Sequence, residues 1–198
     1  MPDPALAAAL GDLDPEYVRW LADPATTVTP YPAPFFHRFQ IVQVIYRTPY
    51  HALGFHAAWA PGEPAYMLTD EPPNFVAAAL ADPVDLASAD LALAYLLAYL
   101  DTTHPADELI YVVSTLADVR FYPNPSAAEQ QRLAAFSSRY SEIIKPPAAR
   151  RLGDDWRVAA FVVRQQALEH TTATVSHAGM LDTHTEVLEG DLPVVFAA

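Results

Sequence analysis

The sequence predicts a single α+β domain whose curved, mostly antiparallel sheet is built from strand runs at both ends of the chain. β-Branched and aromatic residues recur in short runs separated by turn residues, once after residue 35 and again after residue 155. Between them, the almost uniformly apolar helix pattern of Leu91–Leu100 is expected to pack centrally against the sheet. A chain of 198 residues with 52% hydrophobic residues can bury such a core.

The first 34 residues are predicted to form a short helix and a proline-rich arm, and residues 35–198 the domain itself. Asp14 precedes Pro15, the usual order of a helix cap and first turn, and Pro24 ends the helix. Residues 25–34 contain three prolines and are therefore expected to be extended. Strand-like runs over 39–46, 51–60 and 65–68 then predict an antiparallel meander.

The middle of the chain is predicted to be mainly helical. One helix begins at Glu71 and ends before Pro83, and Ser88 caps a second helix over 89–102. Strands are expected over 109–115 and 119–122. Ser126 and Glu129 then have the spacing of a capping box and begin a further helix.

The last third of the chain is predicted to hold three strands. Residues 156–168 form an apolar run that is expected to be one long central strand. Residues 169–176 and 180–188 follow as a hairpin around Gly179, which suits the left-handed position of a three-residue loop. If Ser176 pairs with Met180, His170 lies opposite Glu186.

Composition excludes several classes of function. Acidic residues outnumber basic ones by 24 to 11, giving a charge of −13, which argues against nucleic acid and anionic membranes as partners. Without cysteine the chain has no disulfide, thiolate metal site or thiol nucleophile. Six isolated glycines give no phosphate-binding loop, so no cofactor is expected. No signal peptide is visible, and the 36 alanines and 19 prolines are typical of a GC-rich genome; a cytoplasmic bacterial protein is expected.

One face of the predicted C-terminal hairpin, which we call the hairpin face, displays His170, Thr172, Thr174, Asp182, His184 and Glu186. The candidate catalytic residues on it are His170, Asp182, His184 and Glu186. Two imidazoles beside carboxylates could act as acid and base, and two histidines with a carboxylate also suit zinc or iron. The third interpretation is a solvated polar face, which any half-buried sheet has. On this balance we assign no metal site.

Three further residues are candidates for ligand binding. Arg164, followed by two glutamines, interrupts the apolar strand and indicates a polar pocket or an interface. Tyr95 and Tyr99 belong to a dense aromatic set that would either line a pocket or form part of the core. The remaining histidines before the hairpin are expected to be structural: His37, His51, His56 and His104.

The sequence therefore favours a binding or interaction protein without a recognisable catalytic motif. Its expected partner is a small polar molecule or a protein, and a homodimer is one possible form. The alternative is a small cofactor-independent isomerase, lyase or cyclase that uses a histidine–carboxylate pair in a cup-shaped pocket. A histidine, a carboxylate and a tyrosine gathered in one pocket would favour the enzyme.

Overall fold

A computed structural model describes residues 3–195 of the chain. Within these residues the α-helices are α1 (Pro4–Gly11), α2 (Pro15–Ala22), α3 (Pro72–Ala81), α4 (Ala89–Thr102) and α5 (Ala127–Tyr140), and a short 3₁₀ helix spans Leu116–Asp118. The strands are β1 (Thr26–Tyr31), β2 (Gln40–Arg47), β3 (Ala52–Trp59), β4 (Tyr66–Met67), β5 (Ile110–Val113), β6 (Ala148–Leu152), β7 (Asp155–Arg164), β8 (Ala167–Val175) and β9 (Leu181–Glu189).

The chain divides into two compact units. The first contains the residues up to Ala106 together with the loop His177–Met180, and the second contains Asp107–Ser176 together with the residues from Leu181 onward. No helix among residues 3–195 combines the length and the hydrophobicity needed to cross a membrane. The expected division into an arm over 1–34 and a domain over 35–198 stays a prediction.

The first unit contains a four-stranded antiparallel sheet in the order β1-β2-β3-β4. β1 lies within the segment predicted to be an arm, and its residues pair with β2 from Thr26 opposite Tyr46 to Tyr31 opposite Ile41. β1 is an edge strand, and there Pro30 can be accommodated although it has no N–H to donate. The predicted meander over β2, β3 and β4 is confirmed.

One face of this first sheet carries an apolar cluster. Alternate residues of β2 and β3, including Val44 and Phe55, pack with Leu6 and Leu10 of α1 and with Leu21 of α2. The side chain of Asp14 caps α2, as predicted. The sequence reasoning missed α1, whose N-terminus is capped in the same way by Asp3.

A second group of buried side chains in the first unit surrounds Tyr95. The rings of Phe35 and Phe75 each lie 5.0 Å from the Tyr95 ring, and all three side chains are fully buried. Tyr95 belongs to α4, the apolar helix whose Ser88 cap was predicted correctly. The Tyr95 hydroxyl donates a 2.6 Å hydrogen bond to the carbonyl of Gly179, in the loop His177–Met180.

The second unit contains a five-stranded antiparallel sheet in which β7 pairs with β5, β6 and β8, while β9 pairs with β8. β7 is therefore central, as predicted, and Val158, Val162 and Val163 on it are fully buried. α5 begins with the predicted capping box of Ser126 and Glu129. Its buried face packs in a cluster with residues of β5, β7 and β8: Val113, Phe136, Tyr140, Val163 and Leu168.

The α+β class and the antiparallel pairing are confirmed, but the strand runs from the two ends of the chain form two sheets instead of one. The physical reason is that short connections pair strands that are neighbours in sequence, so each run forms its own sheet. In the first unit, α4 contacts β3 of the first sheet. Of the predicted strand over 119–122, only an isolated bridge between Phe121 and Val194 is present.

The predicted long strand over 156–168 is two strands joined by a tight turn. Arg164 pairs with Ala167, which leaves Gln165 and Gln166 as the two turn residues. Gln165 has a φ of +51°, a left-handed conformation that primed hairpin turns require at their first position. The two glutamines after Arg164, which indicated a polar pocket or an interface, therefore form a hairpin turn.

Gly179 offers a test of the loop packing. It has a φ of +81°, and a Cβ there would lie 2.9 Å from the Val84 side chain. We expect Gly179→Ala to lower the free energy of unfolding by about 2–4 kcal/mol, because backbone strain and overpacking add. Gly62 has a φ of +80° and no neighbour within 4 Å. Gly62→Ala should therefore cost only about 1–2 kcal/mol, and equal losses in urea denaturation would contradict the packing around Gly179.

Candidate functional site

The predicted register of the C-terminal hairpin is confirmed, but the last pair is Val175 with Leu181, so the loop is longer than the predicted three residues closed by Ser176 and Met180. His170 lies opposite Glu186, Thr172 opposite His184, and Thr174 opposite Asp182. Because residues directly opposite one another in an antiparallel pair share a face, all six side chains of the hairpin face lie on one side of the sheet. The sequence therefore located this group of histidines and carboxylates correctly with respect to one another.

The hairpin face is open. Asp182, His184 and Glu186 are exposed, whereas His170 is half-buried and its ring stacks on Phe161 at 4.6 Å. Among residues 3–195 there is no group of three histidine or acidic side chains that could hold a metal ion. Exposed carboxylates and imidazoles of this kind are suited to contacts with a partner's surface.

β9 is exposed on both of its faces. Every residue from Asp182 to Val187 is exposed, and Val187 retains 61% of its accessible surface. β8, the neighbouring strand, alternates in the usual way, with Glu169, Thr171 and Ala173 buried on one face. Within residues 3–195, β9 pairs with β8 alone, so its outer edge has no partner strand. At the end of β9 the Leu188 carbonyl accepts a hydrogen bond from the Tyr140 hydroxyl.

Arg164 is held by two carboxylates. Its guanidinium donates to Glu169 at 3.1 Å and to Glu108 at 2.9 Å, and Glu169 is only 7% exposed. Burial alone would lower the pKa of Arg164, but the hydrogen bonds and charges of the two glutamates raise it above its ordinary value. Arg164, at the end of β7, thus satisfies the buried carboxylate of Glu169 on β8.

The two candidate tyrosines lie in the aromatic group of the first unit. Tyr95 is fully buried, which raises the pKa of its hydroxyl, and its one hydroxyl proton is donated to Gly179. Tyr99 is half-buried and its ring lies 5.6 Å from that of Phe75. Both side chains pack as core aromatic residues with a polar end.

The structure brings together four residues that the sequence reasoning had separated, and we call them the imidazole cluster: Tyr31, His56, Asp101 and His104. The Tyr31 hydroxyl donates to the Asp101 carboxylate, and the Tyr31 ring meets the His56 ring edge-on at 5.8 Å. Both His104 and Asp101 lie close enough to influence the charge of His56. The Nδ1 of His104 lies 2.7 Å from the Pro105 carbonyl, so this nitrogen carries the hydrogen.

Burial sets the protonation of this cluster. Removal from water lowers the pKa of His56; Asp101 partly opposes the effect and His104 adds to it. For Tyr31, burial and the neighbouring Asp101 charge both raise the pKa of the hydroxyl. At neutral pH the cluster therefore holds a neutral imidazole next to a tyrosine–carboxylate pair, a combination that can accept and donate protons.

Two cavities lie away from the hairpin face and the imidazole cluster. One of about 110 Å³ lies between α5 and the residues after β9, with Phe136 and Leu192 among its apolar walls and Arg139 at its edge. The other, of about 550 Å³, is a groove between α1 and the segment Gly62–Ala65. Arg139 is bound to Glu189 at 2.8 Å, so the smaller cavity has no unpaired charge at this position.

Comparison with protein-family models, curated proteins and solved structures gives no match to this chain. The function is therefore inferred from the geometry of its own residues.

The charges around His56 can be tested by NMR titration. We expect Asp101→Asn to lower the pKa of His56 further, because it removes the negative charge that favours the imidazolium. His104→Gln should raise it. Asp90→Asn is the control. Asp90 lies at the other end of α4, about 16 Å along the helix from Asp101, so this change should leave the titration of His56 unchanged. An unchanged or higher His56 pKa in Asp101→Asn would contradict the cluster.

The same pKa has a consequence for stability. Because folding lowers the pKa of His56, the folded chain binds fewer protons than the unfolded chain. The contribution of His56 to the free energy of unfolding is therefore present above its ordinary pKa of about 6.5, and it is lost as the pH falls below that value. In His56→Gln this part of the pH dependence of unfolding should disappear.

The ion pairs of Arg164 predict unequal costs of mutation. Arg164→Ala leaves the buried Glu169 carboxylate without its cation and should lower the free energy of unfolding by about 2–4 kcal/mol. Glu108→Ala should cost less than about 1 kcal/mol, because this side chain is partly solvated. Adding Glu169→Gln to Arg164→Ala should recover part of the loss in urea denaturation. No recovery would contradict the burial of an ionised Glu169.

Proposed function

We propose that this chain is a binding protein that associates with another polypeptide by adding a strand to the free edge of β9. The observation that carries the proposal is the exposure of Asp182–Val187 on both faces of β9, together with an outer edge that pairs with no strand among residues 3–195. In strand addition, backbone hydrogen bonds supply the affinity and alternate side chains supply the specificity. A cytoplasmic location in a bacterium is part of this proposal.

The other edge strands of the described chain are shorter or blocked. β1 contains Pro30, β4 has two residues, and β5 and β6 have four and five. β9 has nine residues and no proline. Proteins commonly protect their edges by shortness, by proline or by charge, and of these β9 has only charge, which selects among partner strands. This contrast supports β9 as the edge through which a partner binds.

The runner-up is a cofactor-independent enzyme or small-molecule binder acting through the imidazole cluster. Its support is the meeting of a tyrosine, a carboxylate and two histidines in one unit. It ranks second because Tyr31 and His56 are half-buried and contact each other and Asp101, an arrangement that also suits a structural role. A ligand that shifts the NMR signals of His56 in the wild type but not in Asp101→Asn would support it.

Strand addition can be tested with displayed nine-residue peptides whose polar and β-branched residues alternate. We expect selected peptides to slow amide hydrogen exchange in β9, because the outward N–H groups become hydrogen-bonded. β1, whose edge contains Pro30, is the internal control and should show no added protection.

Backbone N-methylation of the same peptides sharpens the test. A bound strand uses only one of its two edges, so methylation of one set of alternate residues should abolish binding and methylation of the other set should preserve it. Peptides that protect other segments, or that tolerate both methylation patterns, would contradict strand addition at β9.

A further inference from the structure

The partner strand can be identified from the side chains of β9. We propose that it is β9 of a second copy of this chain, paired antiparallel about a two-fold axis at Thr185, with His184 of each copy opposite Glu186 of the partner subunit. This inference rests on the proposed function and specifies its partner. An interface of this kind is self-complementary, as two-fold symmetry requires.

Symmetry restricts the registers that two β9 strands can adopt. A two-fold axis perpendicular to the sheet keeps each face on its own side, so the hairpin face of one copy continues into that of the other. Residues opposite each other must then share a face, and the axis must pass through a residue position. Three registers pair at least five residues of the regular part of β9, with the axis at Thr183, His184 or Thr185.

Charge separates these three registers. With the axis at His184, Asp182 lies opposite Glu186 of the partner subunit at two symmetric positions, and like charges directly opposite destabilise a sheet. With the axis at Thr185, His184 lies opposite Glu186 of the partner subunit at both positions. With the axis at Thr183, Asp182 lies opposite the partner's His184. The register with its axis at His184 is therefore unfavourable. The registers with axes at Thr183 and Thr185 each give two complementary pairs.

Strand length favours the axis at Thr185. This residue is the midpoint of Leu181–Glu189, and the register gives regular pairing over Thr183–Val187 without reaching beyond the strand. At its end the Leu188 carbonyl already accepts from the Tyr140 hydroxyl. Beyond Val187 the ladder between β8 and β9 is irregular, since Glu169 pairs with Val187 but Leu168 with Glu189. The axis at Thr183 instead extends the overlap into the loop His177–Met180, which is not strand.

The opposite face of β9 gains apolar contact in this register. Val187, which is 61% exposed, lies opposite Thr183 of the partner subunit, and Thr185 lies opposite its own symmetry equivalent. β-Branched residues in such cross-strand positions stabilise a sheet. The register thus covers the most exposed aliphatic side chain of β9.

Pairing would also make the association depend on pH. On β9 His184 shares its face with Asp182 and Glu186, and on β8 it lies opposite Thr172 and diagonal to His170. The added carboxylate of the partner's Glu186 favours the imidazolium, so the dimer binds more protons than two monomers. Association should therefore be tighter at pH 6 than at pH 8, while the glutamates remain ionised.

Sedimentation equilibrium of the full chain, from micromolar to millimolar concentration, tests the proposal. We expect a reversible dimer for the wild type. His184→Glu should weaken it about tenfold, because two complementary pairs become two like-charge pairs. The double variant His184→Glu with Glu186→His exchanges the charges and should restore wild-type affinity. Asp182→Asn, which lies opposite no charge in this register, should change the affinity by less than about twofold.

The outcomes distinguish this inference from the function on which it rests. A wild type that stays monomeric while peptides still protect β9 would overturn the second copy as partner and leave strand addition standing. If neither association occurs, both proposals are wrong. The axis at Thr185 would be overturned if the double variant His184→Glu with Glu186→His failed to restore the dimer. It would also be overturned if Asp182→His with His184→Asp retained wild-type affinity, because this exchange preserves the pairs of the Thr183 register only. Because β9 is exposed, unfolding of each variant at monomer concentration should match the wild type.

Discussion

The hydrogen bond between the Tyr95 hydroxyl and the Gly179 carbonyl is the constraint on which the hairpin geometry depends. It fixes the loop His177–Met180 in the first unit, where Gly179 has a left-handed φ and no room for a side chain. The geometry of a hairpin loop sets the register of its strands, and a slip of one residue would reverse the face of every side chain. The loop that joins the strands of His170 and Glu186 is therefore held by a buried tyrosine of α4.

Local signals made most of the fold predictable. Ser126 with Glu129 and Asp14 before Pro15 identified helix starts because caps satisfy backbone N–H groups within one turn of the chain. The turn at Gln165 was missed because a left-handed glutamine has no sequence signal comparable to glycine. The division into two sheets was also missed, since periodicity identifies strands but not the strands with which they pair.

The two candidate sites differ in the same way. The hairpin face was predicted residue by residue because its strands are joined by a short loop, so that one assumed pair aligned all the others. The imidazole cluster joins Tyr31, His56 and Asp101, which come from β1, β3 and α4. In this register of β1, β2 and β3, the alternation of side chains along the strands places Tyr31 and His56 on the same face. This alternation was the one sequence signal from which their proximity could have been predicted. The position of α4, and with it Asp101, depends on tertiary packing.

The charge of the chain opposes its self-association, and this opposition determines what kind of dimer the β9 edge can form. Each copy carries −13, so two copies repel at long range, and salt screens this repulsion beyond about 8 Å at physiological ionic strength. The attraction from backbone hydrogen bonds and from the His184–Glu186 pairs acts only at contact. Charged edge residues normally prevent pairing with unrelated strands. On β9 the same residues would reject unrelated strands and the register with its axis at His184, and accept registers in which each imidazole meets a carboxylate.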